Sequence, residues 1–321
     1  MPMPARIVFF GTPEIARFTL TALADSAGGE VCAVVTQPDR PRGRNLLPAA
    51  SPVKEEALRR EIPILQPERA RQPEFIEQLR KLEPALIIVV AYGQILPPPI
   101  LELPRFGCLN VHMSLLPKYR GAAPIQWVFL DDEAETGVTI MKMDAGLDTG
   151  DILVQRSTPI LPEDDAQTLH DRLGRLGPAL LLETLPGYFS GQITARPQPA
   201  TGSSYARKIV KEDGLLDWRQ SARDIWNRVR GLSPWPGAFT FRGSKRTRLK
   251  IWRAAVEPSL GSTGTPGRIV TADGTGIVVA CGQQSLRILA VQPEGGRKLT
   301  PAEYLAGHPH QSEESFALPD S

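Results

Sequence analysis

Asn110 and His112 stand at i and i+2 at the end of the strand-like run Gly107-Cys-Leu-Asn-Val-His112. Strand side chains alternate with period two, so these two share one face of a sheet while Val111 turns into the packing on the other. An amide donor beside an imidazole is what a developing oxyanion at an attacked carbonyl requires. As a bare pair, Asn-x-His is a weak signal, and a hydrogen-bonded structural histidine also satisfies it. His170 falls in a helical pattern and His308 and His310 in the tail, so no third ligand is placed for a metal and none is expected.

A second stretch, Met143-Asp-Ala-Gly-Leu-Asp-Thr-Gly-Asp151, sets several carboxylates in a Gly-rich loop after the strand-like segment 137–143. Asp and Gly are turn formers, so an ordinary turn fits this stretch as well. A third is Val90-Ala-Tyr-Gly-Gln-Ile-Leu-Pro97, where an apolar strand ends in a glycine turn. It could admit a flat heterocycle against main-chain groups or be a plain loop. Gly11-Thr-Pro-Glu14 follows the first strand where a dinucleotide fold would have G-x-G-x-x-G, and no phosphate-binding G-x-x-x-x-G-K-[ST] occurs.

The elements that position these groups alternate. Arg6–Phe10, Glu30–Thr36, Ala85–Ala91 and Gly107–His112 read as strands, and helices are expected from Thr12-Pro13-Glu14 to about Asp25, from Ser51 to Arg60 and from Glu74 to Leu82. Thr12 is expected to cap the first of these, with Pro13 at its first position. Strands separated by helices imply a parallel α/β sheet, which binds ligands at the carboxyl ends of its strands. The Gly-, Pro- and Ser-rich segment 191–208 reads as a linker between a domain of residues 1–190 and one of 209–321. Beyond it, a helix over Ser221–Leu232 precedes short strands at 238–241, 249–253, 267–271, 276–280 and 286–291, the pattern of a small β-barrel. The tail after His308 is expected to be mobile.

At 321 residues the chain exceeds a usual single core, in keeping with two domains. Its longest apolar run, Ala85–Tyr92, is far short of a membrane span of roughly 20 residues. The start, Met1-Pro-Met-Pro-Ala-Arg6, has no signal-peptide pattern, and three separated cysteines make no disulfide framework; both point to the cytoplasm. The net charge of +2 divides unevenly: residues 207–321 carry +6 and the remainder −4. A basic second half suggests contact with a polyanion, with a merely solvated face as the alternative.

Taken together, Ile7-Val-Phe-Phe-Gly-Thr-Pro13, Asn110-Val-His112, Ser114-Leu-Leu-Pro-Lys-Tyr-Arg-Gly-Ala-Ala-Pro124 and Gly146-Leu-Asp-Thr-Gly-Asp151 closely resemble the methionyl-tRNA formyltransferases, within the larger family of formyltransferases that use 10-formyltetrahydrofolate. The resemblance spans nearly the whole chain. It implies a Rossmann-like parallel-sheet catalytic domain followed by an OB-like β-barrel that binds tRNA, with methionyl initiator tRNA and the folate as partners, no membrane, no metal, and a monomer. It implies that Asn110, His112 and Asp148 are the catalytic trio. It places Ser114, Leu115, Leu116 and Pro117 beside the tetrahydrofolate, and Val90, Tyr92, Gly93 and Ile95 in its pterin-pocket loop. Arg40, Arg42 and Arg44 match a basic loop that enters the tRNA acceptor stem, although Asn45-Leu46 stand where the family usually has two lysines. Arg242, Lys245, Arg246, Arg248 and Lys250 form the basic cluster expected along the tRNA. The implied chemistry is attack of the methionyl α-amine on the formyl carbonyl, with the oxyanion held by His112 and Asn110, and with Asp148 orienting His112 and assisting proton transfer. Sugar-nucleotide formyltransferases and the folate-hydrolysing domain of formyltetrahydrofolate dehydrogenase share the first domain, and an inactive RNA-binding module is a reading of another class. The basic clusters speak against the first two, and the intact trio speaks against the last.

Overall fold

The computed structural model describes residues 5–26, 29–42, 47–243, 246–257, 264–310 and 314–319. The first half forms β1 (Arg6–Gly11), α1 (Glu14–Asp25), β2 (Glu30–Val35), β3 (Arg40–Arg42), β4 (Leu47–Ala49), α2 (Pro52–Arg59), β5 (Ile64–Leu65), α3 (Pro73–Lys81), β6 (Leu86–Val90), α4 (Pro98–Leu101), β7 (Cys108–His112), β8 (Arg120–Gly121), α5 (Pro124–Leu130), β9 (Glu135–Lys142), β10 (Ile152–Pro159) and the long α6 (Ala166–Phe189). Seven of these strands make one sheet in the order β10-β9-β7-β6-β1-β2-β5. The run from β5 to β7 is parallel, and β9 and β10 add antiparallel partners beyond β7. β6 and β7 are buried along their whole length; β6 accordingly reads as a continuous apolar run, while β7 carries Asn110 and His112. The chain builds outward from β1 to β2 and β5, then returns to β6 and β7 on the other side. The order therefore reverses between β1 and β6, and ligands of open α/β sheets settle at that point, beyond the strands' carboxyl ends. Gly11, Val90 and His112 are those ends.

The turn after β1 differs from its sequence reading. Pro13, not Thr12, is the cap residue of α1, and no side chain caps that end. The Thr12 hydroxyl instead donates to the Tyr92 carbonyl at 3.1 Å, tying the end of β1 to the loop after β6. Ser51 does cap α2, accepting from the Lys54 amide at 3.0 Å.

Between α1 and α2 lies a buried carboxylate, Glu56, which accepts from Thr21, Arg59 and Arg60. The Arg59 guanidinium, then those of Arg60 and the Thr21 hydroxyl, hold the carboxyl down to about 2 from its ordinary 4.5, against the opposing effect of burial. A carboxyl depressed on folding contributes stability above the unfolded value and loses it as the pH falls toward the folded one. Glu56→Gln is thus expected to cost about 1–3 kcal/mol near neutrality. The gap to the parent should close between pH 4.5 and about 2, as denaturant midpoints over that range would report. A gap independent of pH would assign the loss to packing instead.

The second half contains β11 (Tyr205–Ala206), α7 (Ala222–Gly231), β12 (Ala238–Arg242), β13 (Thr247–Glu257), β14 (Ile269–Asp273), β15 (Gly276–Ala280), β16 (Ser285–Pro293) and α8 (Pro301–Gly307). β12 to β16 form a five-stranded antiparallel sheet in the order β12-β13-β16-β15-β14. Its apolar face packs with Ile225 and Val229 of α7, Tyr304 of α8 and the buried Trp218. The tail is not loose throughout: Phe316 is 2% exposed and stacks on Trp218 with ring centroids 5.5 Å apart. Phe316 bridges to Arg242 of β12, and Ser315 to Arg268 beside β14, so these two residues join the two edges of the sheet. Burying one aromatic side chain outweighs the freedom expected of the tail.

The chain divides into two compact units that are not successive in sequence. One holds Met1–Pro124, Glu135–Pro159 and His170–Arg207; the other holds Ile125–Ala134, Ile160–Leu169 and Lys208–Ser321. Residues of 191–207 thus belong to the first unit, and much of that segment, read as a tether from composition, is bonded to it. Arg196 pairs with Ile152, and β11 pairs in parallel with β8.

Candidate active site

β7 ends with Asn110 and His112 on one face, both largely buried at 8% and 6% exposure. The loop after β9 brings Asp148 to them. Asn110 Nδ2 donates to Asp148 Oδ1 at 3.2 Å, and the Gly121 main-chain N–H donates to Oδ2 at 2.8 Å. His112 Nδ1 lies 3.7 Å from that same Oδ2, close enough for charge but too long for a direct hydrogen bond. The other ring nitrogen, Nε2, is 2.9 Å from the Tyr119 carbonyl oxygen. A carbonyl only accepts, so Nε2 carries the hydrogen and Nδ1 is the atom left for chemistry. The neutral ring accepts there; the imidazolium donates. The three side chains singled out from sequence therefore converge, with a carboxylate touching the amide and facing the imidazole.

The loop that presents Asp148 is tightly determined. Asp148 has φ +52°, a left-handed conformation that L residues adopt rarely and aspartate more readily than most. Asp144 accepts from the Gly146 amide at 3.0 Å and from Thr149 Oγ1 at 2.8 Å, so it is a turn residue. A Cβ on Gly150 would run into the Lys142 carbonyl oxygen. At Gly121, φ is +112°, and a Cβ would sit 2.8 Å from the Ala206 oxygen. Only glycine lets β8 approach β11 and still point its N–H at Asp148.

The segment Ser114–Pro117, which follows His112 in sequence, is fixed from behind. Thr139 Oγ1 donates to the Ser114 carbonyl at 2.7 Å and accepts from the Leu116 amide at 3.1 Å. Gln155 Nε2 reaches both Thr139 Oγ1 and the Leu116 carbonyl. The Ser114 hydroxyl donates to the Lys118 carbonyl at 2.7 Å, so it closes its own turn, while Leu115 and Pro117 stay half-exposed. In the loop after β6, Val90 is buried, Gly93 has φ +89° with Gln37 Nε2 3.9 Å from where a Cβ would be, and Ile95 is 78% exposed. The Tyr92 ring packs edge-on against Phe10 in the core, 2% exposed, and burial pushes its phenol up to about 12. What Tyr92 offers this loop is its carbonyl, which accepts from Thr12 and from Gln37 Nε2. An exposed apolar side chain beside accessible main chain suits a flat heterocycle with polar edges. Among the described residues no cluster of three His, Cys, Asp or Glu could hold a metal.

The basic positions fare differently. Arg40 is exposed in β3, which pairs with β4; Arg42 closes β3, and Arg44 lies outside the described residues, as does Lys245. In the second unit, Arg248 and Lys250 face Phe241 and Phe239 across β12 and β13. The Arg248 guanidinium lies 3.9 Å from the Phe239 ring centre, Arg246 lies 5.0 Å from that of Phe241, and Lys250 lies 3.9 Å from that of Trp252. Burial lowers the Lys250 ammonium from its usual value. Arg242 is on the opposite face of β12. Its side chain, 12% exposed, pairs with Glu314 at 2.8 Å and donates to the Tyr304 hydroxyl at 2.9 Å. Its charge is compensated within the chain.

Tyr119, Gly121, Thr139 and Gln155 were not distinguishable from sequence, because each acts through a main-chain group or through a partner far along the chain. Residues 5–185 match the family described as formyl transferase, and residues 208–309 match the formyl transferase C-terminal domain. The chain belongs to the formyl transferase family. The methionyl-tRNA formyltransferase of Geobacter sulfurreducens is 50% identical over 302 residues, covering 94% of this chain and 93% of that protein. That of Trichlorobacter lovleyi is 51% identical over 304 residues, covering 95% and 94%. Among solved structures, an N-formyltransferase from Helicobacter canadensis with folinic acid and dTDP-3-aminofucose superposes with TM-score 0.64 at 18% identity, covering 88% of this chain and 98% of that one. HypX from Aquifex aeolicus in complex with tetrahydrofolic acid gives 0.59 at 18%, covering 94% of this chain and 46% of that one. The two formyl transferase regions meet across residues 186–207, the segment bonded back onto the first unit.

Proposed function

We propose that this chain transfers the formyl group of 10-formyltetrahydrofolate to the α-amino group of methionyl initiator tRNA, giving N-formylmethionyl-tRNA for translation initiation, and that it works as a cytoplasmic monomer. The observation that carries this is the likeness at about half identity to methionyl-tRNA formyltransferases across both halves of the chain. A sugar-nucleotide formyltransferase would share the first half and its trio. We assign residues 1–190 to catalysis, 191–208 to the connection and 209–321 to tRNA binding.

In the reaction the unprotonated amine attacks the formyl carbon, the carbonyl electrons move to oxygen, and a tetrahedral adduct forms. The second N–H of Asn110 and the Nδ1–H of a protonated His112 stabilise that oxyanion. Asp148 accepts the proton shed by the attacking nitrogen, directly or through a water. The adduct then collapses, the C–N10 bond breaks, and the proton is delivered to N10. Ser114, Leu115, Leu116, Pro117, Val90, Tyr92, Gly93 and Ile95 bound the folate by main chain and apolar surface. Formylation of charged initiator tRNA should exceed that of an amino-sugar nucleotide by orders of magnitude. Formylation of the sugar nucleotide alone would overturn the reading.

Arg246, Arg248 and Lys250 are assigned to tRNA phosphates, with Arg40, Arg42 and Arg44 at the acceptor stem. Arg242, neutralised by Glu314, is omitted. The triple Ala variant of Arg246, Arg248 and Lys250 should lower the slope of log affinity against log salt by about two to three. Initiator and elongator tRNAs should weaken alike, because phosphates carry no sequence. Folate binding should persist. Parallel salt lines for parent and variant would show a merely solvated face.

A further inference from the structure

Gln198 lies in the segment whose composition reads as a tether, and each of its polar atoms is engaged. Nε2 donates to the main-chain oxygens of Asp148 and Gly150, both at 2.8 Å. Oε1 accepts from Arg120 Nε at 3.1 Å and Nη2 at 2.6 Å. The partners fix which end is which: a flipped amide would set oxygen against two carbonyls and nitrogen against a guanidinium.

We propose that Gln198 is a positioning residue for formyl transfer, holding Asp148 in its left-handed conformation and against the β8 amide that it accepts from. Asp148 is joined to β8 through its carboxylate, by the Gly121 N–H. Gln198 makes a second link between the same two pieces, from the Asp148 carbonyl to Arg120, the neighbour of Gly121. Backbone and side chain of Asp148 are thereby anchored to one strand from opposite ends. A residue at φ +52° relaxes toward ordinary conformations when its neighbours stop over-determining it, and relaxation would swing the carboxylate away from His112 Nδ1. The surrounding segment reinforces the same frame. Ser204 Oγ accepts from the Tyr119 amide at 2.9 Å, and Tyr119 is the residue whose carbonyl orients His112. β11 then pairs with Arg120 and Gly121. Gln198 touches neither Asn110 nor His112 by any hydrogen bond among those of the described residues, so its effect passes through Asp148.

The proposal rests on the assignment of Asp148 to the reaction made above, and its test separates the two. Gln198→Leu, Gln198→Glu, Asp148→Asn and the double variant Asp148→Asn/Gln198→Leu would be assayed in the full chain with 10-formyltetrahydrofolate and methionyl initiator tRNA. Gln198→Leu should lower kcat by about ten- to a hundredfold, the scale of a small misplacement at a reacting centre. KM for both substrates should stay within about twofold, because no uniform binding is removed. Gln198→Glu should be equally impaired: it keeps Arg120 but turns an acceptor toward two carbonyl oxygens. In the Asp148→Asn background, Gln198→Leu should cost less than about threefold, since residues acting as one unit do not add. A kcat for Gln198→Leu near the parent's, with Asp148→Asn crippled, would overturn the role of Gln198 alone. The same penalty in both backgrounds would make it a general structural contact and also overturn the proposal. Parent-like turnover in Asp148→Asn would overturn the assignment of Asp148, and this proposal with it.

Discussion

Asp148→Asn is expected to lower kcat by about 10²–10⁴, the range for a lost acid–base group, with the affinity for the folate largely kept. The substitution isolates charge from shape. Asparagine tolerates the left-handed region as aspartate does, so the φ of +52° at this position can be retained. Its one carbonyl oxygen can still accept from the Gly121 N–H, in place of the carboxylate oxygen now at 2.8 Å. Its NH₂ would then meet the Asn110 NH₂, donor against donor, unless Asn110 turns over and loses the N–H that faces the reacting carbonyl. What cannot be restored is the negative charge 3.7 Å from the imidazole and, on the proposed mechanism, the group that accepts the proton of the attacking amine. Single-turnover formylation with saturating folate, beside direct titration of the folate, separates the two effects. Lost folate affinity with kept turnover would make Asp148 a binding residue.

The sequence was most readable where the physics is local and periodic. β6 is recognisable because a strand covered on both faces is apolar throughout, and Asn110 and His112 of β7 share a face because strand side chains alternate. Ser51 announced the start of α2 because a cap acts within three residues. Thr12 carried the same kind of signal and failed it, since its hydroxyl found the Tyr92 carbonyl 80 positions away. Asp148 is one of several carboxylates in a turn-forming stretch, and only the family resemblance distinguished it from Asp144 and Asp151. The segment from Arg196 to Ala206 was unreadable for a related reason. Its partners lie in β8, β10 and the Asp148 loop, and none of those pairings leaves a pattern in its own composition. Phe316 in the tail and Glu314 opposite Arg242 belong to the same class of long-range partner.

His112→Ala and Asn110→Ala should each fold and each lose about 10²–10³ in kcat, the usual effect of removing one donor to an oxyanion. Their side effects differ, and the difference follows from the partners of each. Removing the imidazole takes away a 2.9 Å hydrogen bond to the Tyr119 carbonyl oxygen in a buried place, so His112→Ala should also lose about 0.5–1.5 kcal/mol of stability. Asn110→Ala removes one hydrogen-bond donor to the Asp148 carboxylate and leaves another, the Gly121 N–H, in place, so its stability should change less. The pair should also be strongly non-additive, because Asn110 bonds the carboxylate that faces His112 and the three side chains act as a unit. Measured in a double-mutant cycle, His112→Ala/Asn110→Ala should fall well short of the product of the single losses. Near-parent kcat in either single variant would remove that residue from the reaction. A fully multiplicative double loss would mean that the amide and the imidazole act on the formyl oxygen independently, and that the carboxylate between them carries no shared part of the chemistry.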